Sequence, residues 1–207
     1  QHRDDSKPAA DTNMRDKLLQ AMIKIDLTNL DPTSQLTYHR TLQIILSRFG
    51  RPDETVMNQL VAKIDPLFPS DSAEMNWLLC ETLAWLESPT IAQKAIAMIQ
   101  SVPTQEEQMQ YARSIRLLKA GWTDELKEDY FEWFLKAANY RGGASFAKFV
   151  EFIRDDAVAS LSEAQKESLA EILARKPEKK SVLENLGEVF NGRPAKEWKL
   201  DELSQAA

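Results

Sequence analysis

Apolar side chains recur three and four residues apart through most of the chain, in runs of about 12 to 18 residues, and each of the six glycines falls at the end of such a run. A stripe with this period lies along one face of a helix and must be buried against a neighbour. No stretch alternates apolar and polar residues as a strand does, and hairpin dipeptides flanked by alternating apolar residues are missing. The expected fold is therefore all-α.

The stop and start signals divide the chain into successive helices. Met14, Leu18, Leu19, Met22 and Ile25 mark a first helix over 12–25. Asp31-Pro32 opens a second over 32–49, with proline in the first turn, where its missing N–H costs nothing; Gly50-Arg51-Pro52 closes it. Asp53 restarts the chain, and Val56, Leu60, Val61, Ile64 and Leu67 carry the third helix towards Pro69. Asp71 and Glu74 have capping-box spacing ahead of a helix over 72–87. That helix is apolar around most of its circumference, with Trp77, Cys80 and Trp85 widening its stripe, so it is expected to be buried. Further helices follow over about 90–101, 104–121 (Thr104 and Glu107 as capping box), 123–138 and from Phe146 through Phe149, Val150, Ile153 and Ala157 to Leu161. The last, capped by Ser162 and Gln165, runs to Ala174.

Helix starts near 12, 53, 90 and 123 give a repeat of about 40 residues, in the range of HEAT-like solenoids. The expectation is a HEAT-like stack of antiparallel helix pairs, an α-α superhelix. Residues 1–11 read as a loose leader, 12–175 as the helical-repeat domain, and 176–207 as a C-terminal extension that packs on or links to a following domain. Within that extension, short helical pieces are expected near Val182–Phe190 and Lys199–Gln205. The opening Gln1-His2-Arg3 has neither an initiator Met nor an apolar signal core, which suggests a piece of a longer protein.

Hydrophobic residues make up 43% and charged residues 28%, ordinary values for a packed globular chain. Lys and Arg total 26 against 32 for Asp and Glu, a net charge of -6. That balance opposes a nucleic-acid footprint, which needs a basic face to displace counterions. No run approaches the roughly 20 apolar residues that span a bilayer. One cysteine, Cys80, and two histidines are too few for a closed zinc site, and no nucleophile–His–carboxylate arrangement can be argued.

Three stretches carry a resemblance: residues 48–76, residues 104–149, and Glu197-Trp198 to Leu203. The second contains, in order, Thr104-Gln105-Glu106-Glu107-Gln108, Tyr111, Gly121-Trp122-Thr123, Tyr130-Phe131-Glu132-Trp133-Phe134 and Gly142-Gly143-Ala144-Ser145-Phe146. They resemble the helical-repeat region of large bacterial multidomain haem proteins known as membrane-bound dehydrogenases or c-type cytochrome-domain proteins. In that family a β-propeller often precedes the helical region and a cytochrome c domain follows it. The resemblance implies a periplasmic or extracytoplasmic setting, haem in the parent protein, and other domains of the same polypeptide as partners. This chain contains no Cys-x-x-Cys-His, so no haem is attached within it and no cofactor is expected here.

Trp122, Tyr130, Phe131, Trp133, Phe134 and Phe146 could form a ligand platform, but at helical spacing they read as core; Trp77 and Trp85 read the same way. Gly142, Gly143, Ala144 and Ser145 precede a helix, where free N–H groups can hold an anion or the glycines simply permit a sharp turn. His39 reads as structural or exposed. Asp155 and Asp156 point about 100° apart on a helix and make a poor acid pair. Arg175, Lys176, Lys179 and Lys180 form a basic cluster that could meet an acidic partner. The expected function is a non-catalytic scaffold or interaction module that spaces domains, with a protein partner and neither nucleic acid nor membrane insertion. The rival is an enzyme of HEAT-like fold acting on nucleic acid, resembling a DNA glycosylase.

Overall fold

Seven helices start at a capping side chain, one of them, Asp11, not anticipated in the sequence. Asp11, Asp31, Asp53, Ser72, Thr104, Thr123 and Ser162 each accept a hydrogen bond from a backbone N–H in the first turn, an interaction worth about 1 kcal/mol per cap. The computed structural model describes residues 11–178. They form α1 (Thr12–Lys24), α2 (Pro32–Phe49), α3 (Glu54–Ile64), α4 (Ala73–Trp85), α5 (Ile91–Ser101), α6 (Gln105–Ile115), α7 (Asp124–Ala137), α8 (Phe146–Ala159), α9 (Glu163–Ser168) and α10 (Ala170–Ala174). Short 3-10 turns follow α1 and α3, and no strand occurs among the described residues. Nearly all of the leader, and the C-terminal extension beyond 178, lie outside these residues.

The helices pack in two rows. α2, α4, α6 and α8 contact one another in that order; on the other side α1 meets α3, and α5 meets α7, which also receives α10. Cross-row contacts join α1 to α2, α3 to α4, α5 to α6 and α7 to α8. Between the rows runs a single apolar core from Leu19 to Leu169. Several of the polar groups inside it are tied down, although His39 Nδ1 and the Tyr111 hydroxyl have no partner among the described residues. Gln108 donates to the Val102 carbonyl (2.9 Å) and accepts from the Trp133 indole (3.1 Å) and the Tyr140 hydroxyl. Gln105 holds both the N–H and the carbonyl of Arg141. Two glutamines of α6 thus fasten α7 and the chain leading to α8.

Several expectations are corrected. The cap of α4 is Ser72, not Asp71: Ser72 has the extended backbone a cap needs, and its Oγ accepts from the Met75 N–H at 3.3 Å. The helix expected over 162–174 has its two-way capping box, but it breaks at Leu169, a buried residue whose φ of -96° and ψ of 8° leave the helical region. Trp77 and Trp85, expected in the core, are each 38% exposed, and Phe149 is 41% exposed. Both tryptophans belong to the one stripe of α4, with Glu81 between them, that faces away from the neighbouring helices. Met14, Ile25 and Leu67 are exposed as well.

One glycine is indispensable where the chain turns into α7. Gly121 has φ +74°, and a Cβ there would lie 2.3 Å from the Pro89 carbonyl oxygen.

Candidate binding surfaces

Of the aromatic motif, Tyr130, Phe131, Trp133 and Phe134 are buried, while Trp122 and Phe146 are half-buried. The four buried rings pack edge-on or tilted with centroids 4.9 to 6.0 Å apart, the spacing that aromatic pairs prefer. They are core, as their periodicity implied. Trp122 stacks on Tyr130 at 5.5 Å and turns its remaining face to a cavity.

Gly142, Gly143, Ala144 and Ser145 are all exposed, and Ser145 makes no side-chain cap. A Cβ on Gly142 would strike the Phe146 ring at 2.4 Å, so close packing of that ring accounts for the glycine. Asp156 pairs with Arg116 at 2.8 Å and Asp155 is exposed, so the two acids do not converge. Arg175 pairs with Glu132 at 3.1 Å and Lys176 is exposed; Lys179 and Lys180 lie outside the described residues. Cys80 is fully buried, and burial pushes its thiol up to about 12, so little thiolate exists at neutral pH. Among the described residues no group of three or more His, Cys, Asp and Glu could hold a metal ion.

Asp65, overlooked in the sequence, is an acid held by three side chains from a later part of the chain. Lys94 (2.7 Å), Ser88 (2.7 Å) and Thr90 (2.6 Å) all donate to its carboxylate. Burial alone would raise its pKa; the hydrogen bonds from Lys94, Thr90 and Ser88 outweigh it and hold the carboxyl below its usual value. The cluster ties the turn after α3 to the start of α5.

Two concave features among the described residues could seat a ligand. The first is a groove of about 720 Å³ between the outer faces of α2 and α4. Gln43 rivets its floor, donating to the Leu78 carbonyl (3.3 Å) and Thr82 hydroxyl (3.2 Å). Ile44, 53% exposed, and Trp85 offer apolar walls. Around them stand Arg40 and Arg48, for which no ion pair exists among the described residues, Arg51, which lies over the Trp85 ring at 5.4 Å and pairs with Glu87 at 3.4 Å, and Arg113, paired with Glu81 at 3.6 Å. In a chain of net negative charge this face is cationic.

The second is a cavity of about 370 Å³ where the end of α6, α7, the end of α8 and the start of α9 meet. Neither was foreseen, because each is assembled from residues far apart in the chain.

No family model matches the chain, and no curated protein or solved structure matches it.

Proposed function

We propose that this chain is a non-catalytic helical-repeat scaffold whose α2–α4 groove docks an amphipathic protein segment bearing carboxylates beside apolar side chains. The observation that carries this reading is the groove itself. Trp85 and Ile44 expose apolar surface between two guanidiniums that have no carboxylate partner among the described residues. Exposed aromatic and arginine side chains in a concave setting are the usual anchors of protein association, and unpaired cations select an acidic partner. The two-row packing and helix starts at Thr12, Glu54, Ile91 and Asp124 support a HEAT-like superhelix. The resemblance of residues 104–149 favours a place between domains of a larger extracytoplasmic haem protein, whose neighbouring domain supplies the segment.

A labelled synthetic helix alternating Leu and Glu at spacings of three and four should bind saturably in fluorescence anisotropy, and its Lys-for-Glu counterpart should not. The double variant Trp85→Ala/Arg48→Glu should weaken that binding at least tenfold while leaving thermal unfolding within a few degrees of the parent, since both side chains are at the surface. Equal binding of both peptides, or no effect of the double variant, rejects the docking site. Binding of duplex DNA that weakens steeply with salt would put the nucleic-acid enzyme in the scaffold's place.

A further inference from the structure

Lys127 is unusually enclosed for a lysine. It sits in an acid-rich run, Asp124-Glu125-Leu126-Lys127-Glu128-Asp129, whose neighbours face solvent, yet only 6% of its own surface is exposed. Its ammonium makes neither a hydrogen bond nor an ion pair with any described residue. Burial lowers its pKa, and Asp124, one turn earlier, pulls the other way without reaching it. Its stem is covered by the packing, while the ammonium keeps some contact with the solvent-filled cavity.

The cavity onto which Lys127 opens supplies the rest of a binding site. Its lining contains three cations, Lys127, Lys119 and Arg116, and no carboxylate. Arg116 is already engaged by Asp156 outside the lining, at 2.8 Å. Lys119 is exposed at the mouth and unpaired among the described residues. The lining also includes the α9 capping box: Ser162 Oγ accepts from the Gln165 N–H, and Gln165 Oε1 accepts from the Ser162 N–H. Those two bonds use acceptors only, so the Ser162 hydroxyl proton and the Gln165 amide N–H groups remain to be given. Trp122, Tyr130 and Phe131 supply the aromatic part of the lining. The Trp122 N–H and the Tyr130 hydroxyl are spent on the Leu118 and Ala112 carbonyls, so the rings present only apolar surface.

We propose that this cavity is a ligand site for a small organic carboxylate with an apolar, ring-sized body. The carboxylate pairs with Lys127 and Lys119 and accepts from Ser162 and Gln165, while the body lies against Trp122 and Tyr130. The volume falls in the range of small-molecule pockets. The site is separate from the α2–α4 groove and does not depend on it.

Sodium benzoate is the probe, with benzyl alcohol as its uncharged analogue and inorganic phosphate as an anion without a ring. Two-dimensional ¹H–¹⁵N spectra of the full chain at constant ionic strength, with the Trp122 indole resonance identified through Trp122→Phe, should show a saturable shift with benzoate alone. Lys127→Met should weaken benzoate at least tenfold, and in the absence of ligand should melt close to the parent, because methionine keeps the covered apolar stem and removes only a charge that has no ion pair among the described residues. Lys119→Gln, at an exposed position that cannot disturb the fold, should weaken it several-fold. The benzoate response should persist in Trp85→Ala/Arg48→Glu, which separates this site from the docking groove. A benzyl alcohol response equal to that of benzoate would reduce the site to an apolar hole, and a phosphate response as strong would remove the need for a ring. No saturable shift with benzoate, or full affinity in both lysine variants, would overturn the proposal.

Discussion

His39 sits on the inner face of α2 with 1% of its surface exposed and its Nδ1 without a partner. Burial pushes its pKa down to about 4 from an ordinary 6.5. The unfolded chain therefore takes up a proton between pH 6.5 and 4 that the folded chain refuses. Stability is full above pH 6.5 and falls as the solution is acidified through that window, by about 3 kcal/mol once pH 4 is passed. Asp65 acts in a separate window, because its lowered carboxyl contributes above the unfolded value of 3.8 and loses that contribution only in stronger acid. Urea midpoints at pH 7 and pH 4.5 separate the two. The parent should lose most of the His39 contribution between them, and His39→Leu, which cannot be protonated, should lose much less. An equal loss in both proteins would show that His39 is not the acid-sensitive group.

At the scale of elements, the connections depend on backbone shapes that only a few residues accept. Gly50 and Gly121 both have positive φ, but nothing lies within 4 Å of a Cβ at Gly50, whereas at Gly121 the Pro89 carbonyl is in the way. Gly50→Ala should cost on the order of 1 to 3 kcal/mol of backbone strain alone. Gly121→Ala adds a steric clash with backbone that cannot move without shifting the start of α5, so it should cost more. Chemical denaturation of the two variants gives the comparison, and equal losses would mean that the Pro89 contact yields freely. Punctuation of this kind is what made the helices legible. α2 occupies the span marked out by Asp31-Pro32 and Gly50, and the Ser162–Gln165 box stands where its spacing put it. Periodicity reads one face of a helix at a time, however. α4 is apolar almost all round, so the pattern could not say that the Trp77–Trp85 stripe is the one left outside. The burial of Lys127 was equally hidden. Its sequence neighbours are acids on a solvated face, and the residues that enclose it, at the end of α8 and the start of α9, arrive about 30 positions later through tertiary packing.

Across the whole molecule, the two rows share one core with no break between Leu19 and Leu169. A stack whose repeats touch only their neighbours can melt piecemeal, but a continuous core couples them. At the centre α4 contacts α2, α3, α5 and α6 and so joins both rows. Leu79, fully buried on α4, sits at that junction, and Leu79→Ala should remove roughly 2 to 5 kcal/mol. The more telling measurement is where the loss is felt. Trp133, buried in α7 beside Phe134 and followed through its own indole N–H resonance, assigned by Trp133→Phe, reports the far end of the stack, while far-UV circular dichroism reports every helix. If the core acts as one unit, both signals shift to lower denaturant together in Leu79→Ala and keep coincident midpoints. If the indole signal stays at the parent midpoint while the helical signal moves, α6 to α8 fold independently of the first half. The chain would then be two coupled bodies, and the groove on α2–α4 and the cavity beside α7 would belong to separate folding units.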